Sequence, residues 1–306
     1  MQPFRDGRPL KRWRYVGVFE EQLMACAALV QVGPARQAFW AVLTRGDGRI
    51  RERTRLLWRR GAVELAAGAR RARATEHPEP ERAHIGLTRT PRARASKESE
   101  RQRASTADWD EAYRSGRVRV RDRGVELDLA LEEDEGVQAL CAHGRGQVWT
   151  RKQAGVPARG TISLDGGPAR TIEALAIVDD TAGYHARHTE WRWAAGVGVT
   201  PDGTPLAFNL VAGVNDPPTG SERAVWIAGE PREAPPVEFS EDLASIACVD
   251  GSELRFAAEA ERHRRESLVI VSSDYRAPFG VFSGTLPGGV ELAHGLGVAE
   301  HHRAKW

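Results

Sequence analysis

The sequence predicts an all-β protein built from two barrels or strongly curved antiparallel sheets, with few short helices. Many short apolar stretches show a partial two-residue alternation, such as RYVGVF, QAFWAVL and PLAFNLVAGV. Turn sequences such as GDG, PDG and PGG separate these stretches. Numerous short alternating strands divided by turn signals are typical of all-β sandwiches and barrels.

Two hairpins and two helices are the most clearly marked elements. VGVTPDGTPLAFNL around 197–210 and VFSGTLPGGVELAHG around 281–295 each join two alternating strands through a turn sequence, which predicts a β-hairpin. The stretch SELRFAAEAERHRRESLVI predicts a helix over about 256–266, and EFSEDLASI predicts a shorter one near 238–246.

A weak internal repeat indicates two similar β units. KRWRYVGVF at 11–19 resembles TEWRWAAGVGV at 189–199, so that WRY in the first copy matches WRW in the second. The first unit is expected over 1–68 and 108–165, and the second over 166–306. Residues 69–107 are rich in Arg, Glu, Ser and Pro and have little to bury, which predicts a mobile insertion.

Composition excludes several classes of protein. The 306 residues carry a formal net charge of only +2, which gives no general attraction to nucleic acid. The longest apolar run, LMACAALV, is too short to span a bilayer, and MQPFRDGRPLKRWRY lacks the apolar region of a secretory signal. Three widely spaced cysteines provide neither a disulfide framework nor a CxxC pair. We expect a cytoplasmic protein without stable membrane insertion, whose oligomeric state the sequence leaves open.

Known nucleotide and hydrolase motifs are missing from the sequence. No GxGxxG follows a strand and opens a helix, no GxxxxGK[ST] occurs, and no GxSxG nucleophile elbow is found. We therefore predict no cofactor, and a hydrolase triad has no support.

The densest group of reactive side chains lies in VDDTAGYHARHTEWRW at 178–193. On a strand, His188, Glu190 and Arg192 would share one face, opposite Trp191 and Trp193. If that face lines a cavity, His188 can exchange a proton while Glu190 and Arg192 hold charge. If it faces solvent, the same row is a charge-compensated outer surface.

An acid is also available just before this row. Asp180 follows Asp179, and paired carboxylates can leave one of them protonated and able to act as an acid. The alternative is that an Asp beside a turn bonds to backbone N–H groups. The predicted catalytic residues are accordingly Asp180, His188, Glu190 and Arg192.

Aromatic and polar side chains near these motifs are candidates for ligand binding. Nine tryptophans would give a cavity flat apolar walls with N–H donors, unless they only fill the cores. The loop GVNDPPTGSERAVW at 213–226 presents polar groups on a stiff backbone. The predicted ligand-binding residues are Trp13, Tyr15, Tyr184, His185, Trp191, Trp193, Asn209, Asn215, Arg223 and Tyr275.

A metal site is not predicted. His185 and His188 are an odd number of residues apart and would point to opposite faces of a strand. The terminal segment GVAEHHRAKW offers Glu300, His301 and His302, but chain ends are usually frayed.

Five long segments carry a resemblance to a known family: KRWRYVGVF, HGRGQVWTRKQAGVPARG, DDTAGYHARHTEWRWAAGVG, NLVAGVNDPPTGSERAVWIAGEP and SDYRAPFGVFSGTLPGGVELAHGLGV. They resemble the bacterial domain-of-unknown-function family 2804 over nearly the whole chain. The layout is more distantly similar to double lipocalin-like (calycin) proteins, including carotenoid hydratases and tocopherol cyclase-like enzymes. The resemblance implies two lipocalin-like barrels and a small hydrophobic, isoprenoid- or lipid-like ligand, but it transfers no catalytic residue.

Three functions remain open at this point. The first is a cofactor-independent enzyme for hydration, isomerisation or cyclisation, in which Asp180, His188 or Glu190 delivers a proton and Arg192 supplies a counter-charge. The second is a non-catalytic carrier with an apolar pocket. The third is a carbohydrate-binding or carbohydrate-active β protein with an open, tryptophan-lined groove.

Overall fold

The computed structural model describes residues 4–56, 63–66, 115–267 and 272–305, and within them the chain forms β-strands and no helix. The predicted insertion at 69–107 lies outside the described residues. The strands up to residue 183 are β1 Phe4–Arg5, β2 Arg8–Pro9, β3 Lys11–Glu20, β4 Leu23–Val32, β5 Ala35–Thr44, β6 Arg49–Leu56, β7 Val63–Ala66, β8 Ser115–Asp122, β9 Val125–Glu132, β10 Val137–His143, β11 Gly146–Leu164 and β12 Arg170–Gly183. The later strands are β13 His188–Val199, β14 Pro205–Ala212, β15 Ala224–Ile227, β16 Glu230–Glu233, β17 Val237–Phe239, β18 Ser245–Cys248, β19 Glu253–Ser267, β20 Ser272–Leu286 and β21 Val290–Lys305.

Two large antiparallel sheets contain nearly all of these strands. The first has the order β6-β5-β4-β3-β12-β11-β9-β8-β7, with β10 added on β11, and the second has the order β16-β15-β14-β13-β21-β20-β19-β18-β17. Both sheets are curled into half-barrels. The all-β fold with two strongly curved antiparallel sheets, expected from the alternating pattern, is confirmed.

Each sheet has two apolar faces because alternate residues of a strand point to opposite sides. On one face, each sheet encloses its own core, around Val16 and Leu129 in the first sheet and around Phe208 and Phe282 in the second. On the other face, the two sheets share a third core, in which Tyr15 and Phe39 of the first meet Trp193 and Phe279 of the second. The shared core makes the two sheets one packed structure.

The strand orders of the two sheets correspond position by position. In this correspondence β3 is equivalent to β13, β12 to β21 and β11 to β20. The repeat seen in the sequence falls on these equivalent strands, since WRY lies on β3 and WRW lies on β13. The two copies therefore occupy the same place in two sheets of the same topology.

Side-chain ion pairs help to close the first half-barrel. Strand β7 contacts β4 and β5 across the opening of the sheet. Asp122 of β8 accepts hydrogen bonds from Arg53 at 2.9 Å and Arg55 at 2.6 Å, both on β6. Trp40 Nε1 donates to the same carboxylate at 3.2 Å. These bonds join strands that are far apart in the sheet order.

The helix predicted over 256–266 is wrong, because this segment lies in β19. Its backbone is paired with β20, and its charged residues find partners across the strands. Glu261 binds Arg276 at 2.8 Å, and His263 lies 2.9 Å from Asp274. Cross-strand pairing thus outweighs the helical preference of the Ala, Glu and Arg residues.

The shorter helix predicted near 238–246 is also wrong. The segment consists of β17, a turn and the start of β18. Asp242 accepts hydrogen bonds from Ser240 Oγ at 2.7 Å and from Ala244 N at 3.0 Å. Leu243 has a φ of 66°, which a right-handed helix does not allow.

Both predicted hairpins are confirmed, as β13–β14 and β20–β21. The boundary expected at 165/166 differs from the sheet topology, because β12 pairs with β3 and β11 in the first sheet. The chain therefore passes from one sheet to the other at residues 184–187. Among the described residues, no helix is long and apolar enough to cross a membrane.

Candidate functional site

The candidate site is a buried polar layer between the two sheets, called here the inter-sheet layer. It begins with residues of β3 and β13 that share a face with the core common to both sheets. Trp13 and Trp191 are half-buried and stack nearly parallel, with ring centroids 6.0 Å apart and an interplanar angle of 9°. Deeper in the layer, Tyr15 and Trp193 meet edge to face at 5.6 Å. Equivalent aromatic residues of the two sheets thus face each other in pairs.

Each half-buried tryptophan donates a hydrogen bond to a carboxylate of the neighbouring strand. Trp13 Nε1 donates to Asp179 Oδ2 at 3.0 Å. Trp191 Nε1 donates to Glu300 Oε1 at 2.7 Å. Asp179 lies on β12 and Glu300 on the equivalent strand β21, so these two bonds are related by the same correspondence as the sheets.

Asp179 is paired with a buried cation. Lys152 Nζ lies 2.7 Å from Asp179 and 3.1 Å from Glu222, and Thr181 donates to Asp179 at 2.9 Å. Burial opposes the charge of Lys152, but the two carboxylates outweigh burial and raise its pKa. Burial also raises the pKa of Glu222, while the charge of Lys152 acts in the opposite direction. This part of the layer holds a charge network.

Glu300 has no cationic partner within ion-pair distance among the residues that the structure describes. The residue is 6% exposed, and its carboxyl is hydrogen-bonded by Trp191 and by the Tyr275 hydroxyl. Burial raises the pKa of Glu300 to about 7, and the negative charge of Asp179 acts in the same direction. A carboxyl group in this state can donate a proton near neutral pH.

A histidine lies next to this carboxyl. The His302 ring is 4.3 Å from the Trp191 ring and 5.3 Å from the Tyr275 ring, measured between centroids. Its Nε2 lies 2.8 Å from Ser273 Oγ. Burial lowers the pKa of His302 to about 3, so its imidazole is neutral in ordinary conditions.

Most of the predicted ligand-binding residues lie in or beside the inter-sheet layer. Trp193 Nε1 donates to Asn209 Oδ1 at 2.7 Å, and Asn215 Nδ2 donates to Glu222 at 2.9 Å. Of the ten residues, the structure brings together Trp13, Tyr15, His185, Trp191, Trp193, Asn209, Asn215 and Tyr275. Whether they bind a ligand stays a prediction.

The two other predicted ligand-binding residues, Tyr184 and Arg223, form hydrogen bonds with backbone carbonyls around the layer. Tyr184 is buried, and its N–H donates to the Gln147 carbonyl at 3.2 Å. Arg223 is 1% exposed and donates to the carbonyls of Ala234 at 3.2 Å and Pro217 at 2.6 Å. Arg223 therefore holds the loop that carries Asn215.

The predicted catalytic residues lie on the opposite faces of their strands. Asp180 accepts hydrogen bonds from Arg14 at 2.7 Å and from Arg151 at 2.7 Å, on the inner side of the first sheet. On β13, the exposed His188 and Glu190 share a face with Arg192, as the alternation predicts. This arrangement separates Asp180 from His188, Glu190 and Arg192, and it separates all four from the inter-sheet layer.

Glu190 is bound to other polar residues. Its Oε1 lies 2.8 Å from His301 Nε2 and 3.0 Å from Arg303 Nε. His188 and Glu190 also line a cavity of about 590 Å³ at the end of the second sheet, together with Ser273, Asp274 and Arg303. Because Ser273 also contacts His302, this cavity adjoins the inter-sheet layer.

The terminal group Glu300, His301 and His302 does not converge on one point. Strand alternation directs Glu300 and His302 toward the first sheet, whereas His301 bonds Glu190 on the other face. Among the described residues, no group of three or more His, Cys, Asp or Glu side chains could hold a metal ion.

Reasoning from the sequence missed three residues of the layer: the cation Lys152, the carboxyl group of Glu300 and the neighbouring His302. Glu300 and His302 were considered only as part of a frayed terminus, whereas β21 pairs with both β13 and β20. Lys152 lies in RKQAG of β11 and had no motif to mark it. The sequence held no local signal for Glu300, because its correspondence with Asp179 follows from strand pairing: Asp179 lies opposite Tyr15, and Glu300 lies opposite Trp193.

Comparison with known proteins places the chain in a family. A family model described as Domain of unknown function (DUF2804) matches residues 5–306. The chain belongs to this family. The resemblance found in the sequence is thereby confirmed for the DUF2804 protein. No protein of curated function matches it in sequence.

Solved structures similar to the DUF2804 protein share its fold. Kievitone hydratase from Nectria haematococca superposes with a TM-score of 0.54 at 10% identity, covering 96% of this chain and 88% of that chain. An AttH candidate from Nitrosomonas europaea superposes with a TM-score of 0.53 at 12% identity, covering 97% and 93%. These are double lipocalin-like proteins, so the fold implied by the sequence resemblance is confirmed.

Proposed function

We propose that the inter-sheet layer binds a small hydrophobic, isoprenoid- or lipid-like molecule and that Glu300 protonates it. The reaction class is cofactor-independent hydration, isomerisation or cyclisation, each of which can begin with protonation of a carbon–carbon double bond. The proposed setting is the cytoplasm, in agreement with the free cysteines Cys26, Cys141 and Cys248. A hydratase with the same fold agrees with this reaction class.

The observation that carries the proposal is the state of Glu300. Its carboxyl is buried, bonded to two neutral donors, and has a pKa of about 7. A general acid works best when its pKa lies near the operating pH. The equivalent residue Asp179 instead forms an ion pair with Lys152 at 2.7 Å.

The aromatic residues around Glu300 suit a carbocation-like intermediate. The half-buried rings of Trp13 and Trp191 offer flat apolar contact at the outer part of the layer. Indole and phenol faces attract positive charge by their quadrupoles, with Trp the strongest. The neutral His302 beside Trp191 adds no competing charge. These features would hold and shield the product of protonation.

The test begins with mass spectrometry of small molecules that co-purify with the protein. Turnover of the identified molecule is then compared between wild type and Glu300→Gln, in which the amide keeps the shape and hydrogen-bond acceptor of the neutral acid. We expect Glu300→Gln to lose about 100-fold or more in turnover, the usual contribution of a general acid. The control is Glu132→Gln, because Glu132 forms only an exposed ion pair with Arg159. Turnover by this variant should equal that of wild type.

Other outcomes distinguish the alternatives. Full turnover in Glu300→Gln together with its loss in His188→Ala or Glu190→Gln would assign the proton to the row on the other face of β13. A hydrophobic ligand recovered unchanged after incubation with wild type would identify a carrier. A sugar as the bound molecule would contradict the proposal and favour the carbohydrate-active alternative.

A further inference from the structure

Four basic residues gather where the inter-sheet layer meets the strand β10, and they are called here the basic cluster: Arg8, Lys11, His143 and His185. Lys11 Nζ donates to the His185 carbonyl at 3.3 Å. The rings of His143 and His185 lie 5.5 Å apart, measured between centroids. The Arg8 guanidinium lies beside Gly144, directly after β10. Strands β2, β3 and β10, together with the segment between β12 and β13, therefore bring these four basic side chains to one place.

Several nitrogen atoms in this cluster lack hydrogen-bond partners among the described residues. Both ring nitrogens of His185 are buried without a hydrogen-bond partner, and so is Nη1 of Arg8. The His185 residue is only 1% exposed. Buried polar atoms are almost always hydrogen-bonded, and an orphaned one costs about 1–3 kcal/mol. Nη1 of Arg8 and the single N–H of the neutral His185 ring are donors, and an acceptor from outside the chain would satisfy them.

The acids within reach are already engaged elsewhere. Asp216 is the described carboxylate whose charge acts on His143, and its Oδ2 accepts the Gly213 N–H at 2.7 Å. Arg8 forms no ion pair with any carboxylate in the described ranges. Burial and, to a smaller extent, the neighbouring Arg8 lower the pKa of Lys11 to about 7. Burial likewise lowers the pKa of His185, with Lys11 and His143 adding to the effect while the Gly183 backbone opposes it. Arg8 is therefore a fixed positive charge without a carboxylate partner in the described ranges, and an anion would pair with it and favour the protonated form of Lys11.

The position of the cluster links it to the proposed ligand. The His185 ring lies 5.1 Å from the Trp13 ring, whose neighbour at 6.0 Å is Trp191. A molecule lying along the two indoles would therefore have one end at the basic cluster. Its other part would be near Glu300, to which Trp191 donates.

We propose that the ligand of this protein is amphipathic and carries an anionic headgroup, a carboxylate or a phosphate ester, which the basic cluster binds. This inference rests on the proposed function, because it names the class of molecule that the inter-sheet layer takes. Arg8 supplies a fixed charge, the bound anion favours the protonated form of Lys11, and His185 supplies an N–H donor inside the layer. The headgroup fixes the direction in which the apolar part lies along Trp13 and Trp191.

The test compares three ligands of equal chain length by quenching of tryptophan fluorescence at pH 7.5: decanoate, decyl phosphate and decanol. We expect wild type to bind at least one of the anions about tenfold or more tighter than decanol, since a hydrogen bond to a charged group is worth about that factor. The better of the two anions identifies the headgroup as carboxylate or phosphate.

Variants locate the preference. Arg8→Met and His185→Phe should each reduce the preference for the anion over decanol to about twofold or less, because each removes a donor to the headgroup. The control is Arg12→Met, since Arg12 lies on the other face of β3 and bonds Gln31 at 2.7 Å. Thermal unfolding of each variant identifies any loss of fold, and two independent positions protect the test against one unstable variant.

The outcomes separate this inference from the proposed function. Equal affinity for decanol and both anions would overturn the inference alone, since an apolar site would still be present. An anion preference that survives in both Arg8→Met and His185→Phe would overturn it as well. Failure of all three ligands to bind would count against the inference and the proposed function together.

Discussion

Asp179 and Glu300 occupy equivalent places in the two sheets, yet only Asp179 is paired with a cation among the described residues. Each accepts an indole N–H, from Trp13 at 3.0 Å and from Trp191 at 2.7 Å. Asp179 also lies opposite Lys152 of the neighbouring strand β11. On the equivalent strand β20, Arg276 pairs with His301, so the residue opposite Glu300 is Ala277. A single neighbour therefore decides whether a buried carboxyl forms an ion pair or remains a neutral acid.

The same contrast holds on the other faces of these strands. In the first sheet, Arg14 bonds both Asp180 and Glu133, and Arg151 joins the same two acids. In the second sheet, the equivalent region holds Glu190 with His301 and Arg303, and the Glu190 side chain is 48% exposed. The first sheet buries compensated charge, and the second keeps its charge at the surface. Two sheets of the same topology thus differ in how deeply the ion pairs on this face are buried.

The largest expected effect is that of removing the cation beside Asp179. Lys152→Met should lower the free energy of unfolding at pH 7 by about 3–5 kcal/mol, because it leaves buried carboxylates without their partner. Urea denaturation provides the measurement. Arg159→Met on the same strand breaks only the exposed pair with Glu132 and should cost less than about 1 kcal/mol. Equal losses in the two variants would remove the basis of the comparison.

A second effect concerns the pH dependence of stability due to Glu300. Its pKa of about 7 in the folded protein exceeds the ordinary value of 4.5, so the folded state holds a proton that the unfolded state has lost. The stabilisation is present in full below pH 4.5 and disappears as the pH rises to about 7. Relative to Glu300→Gln, wild type should therefore lose about 2–3 kcal/mol of unfolding free energy between pH 5 and pH 8.

Urea denaturation at the two pH values, with Glu132→Gln as the control, measures this difference. If wild type and Glu300→Gln respond alike to pH, the carboxyl is ionised in the folded protein. The contrast with Asp179 would then be one of partners and not of charge.

The smallest expected effect belongs to the exposed network of the second sheet. Glu190→Gln should change the free energy of unfolding by less than about 1 kcal/mol, since exposed ion pairs contribute little. On the corresponding face of the first sheet, Asp180→Asn should cost about 3 kcal/mol, because Arg14 and Arg151 are buried beside it. Denaturation of both variants in low salt and in 1 M salt gives the comparison. A Glu190→Gln loss as large as that of Asp180→Asn would show that the two networks are equally buried.

The candidate site was only partly predictable from the sequence. The alternation of TEWRW correctly separated Trp191 and Trp193 from His188, Glu190 and Arg192. It could not say which of the two faces would be covered, because both faces of these sheets are apolar further along the strand. The aromatic candidates Trp13, Tyr15 and Tyr275 were found as residue types that suit a pocket. Glu300 was not found, because its pKa depends on which residue lies opposite it on the neighbouring strand. Asp179 has Lys152 there, whereas Glu300 has Ala277.

The all-β class, the two hairpins, the family and the repeat of WRY and WRW follow from local patterns, because a period of two and a turn sequence are properties of short segments. The charge on Glu300, the cluster of Arg8 with His185 and the strand conformation of 256–266 were decided by tertiary structure. Each of these depends on residues more than a hundred positions away or on the backbone of a neighbouring strand. Burial and the identity of distant partners set the free energy of a charge, and no local pattern contains that information.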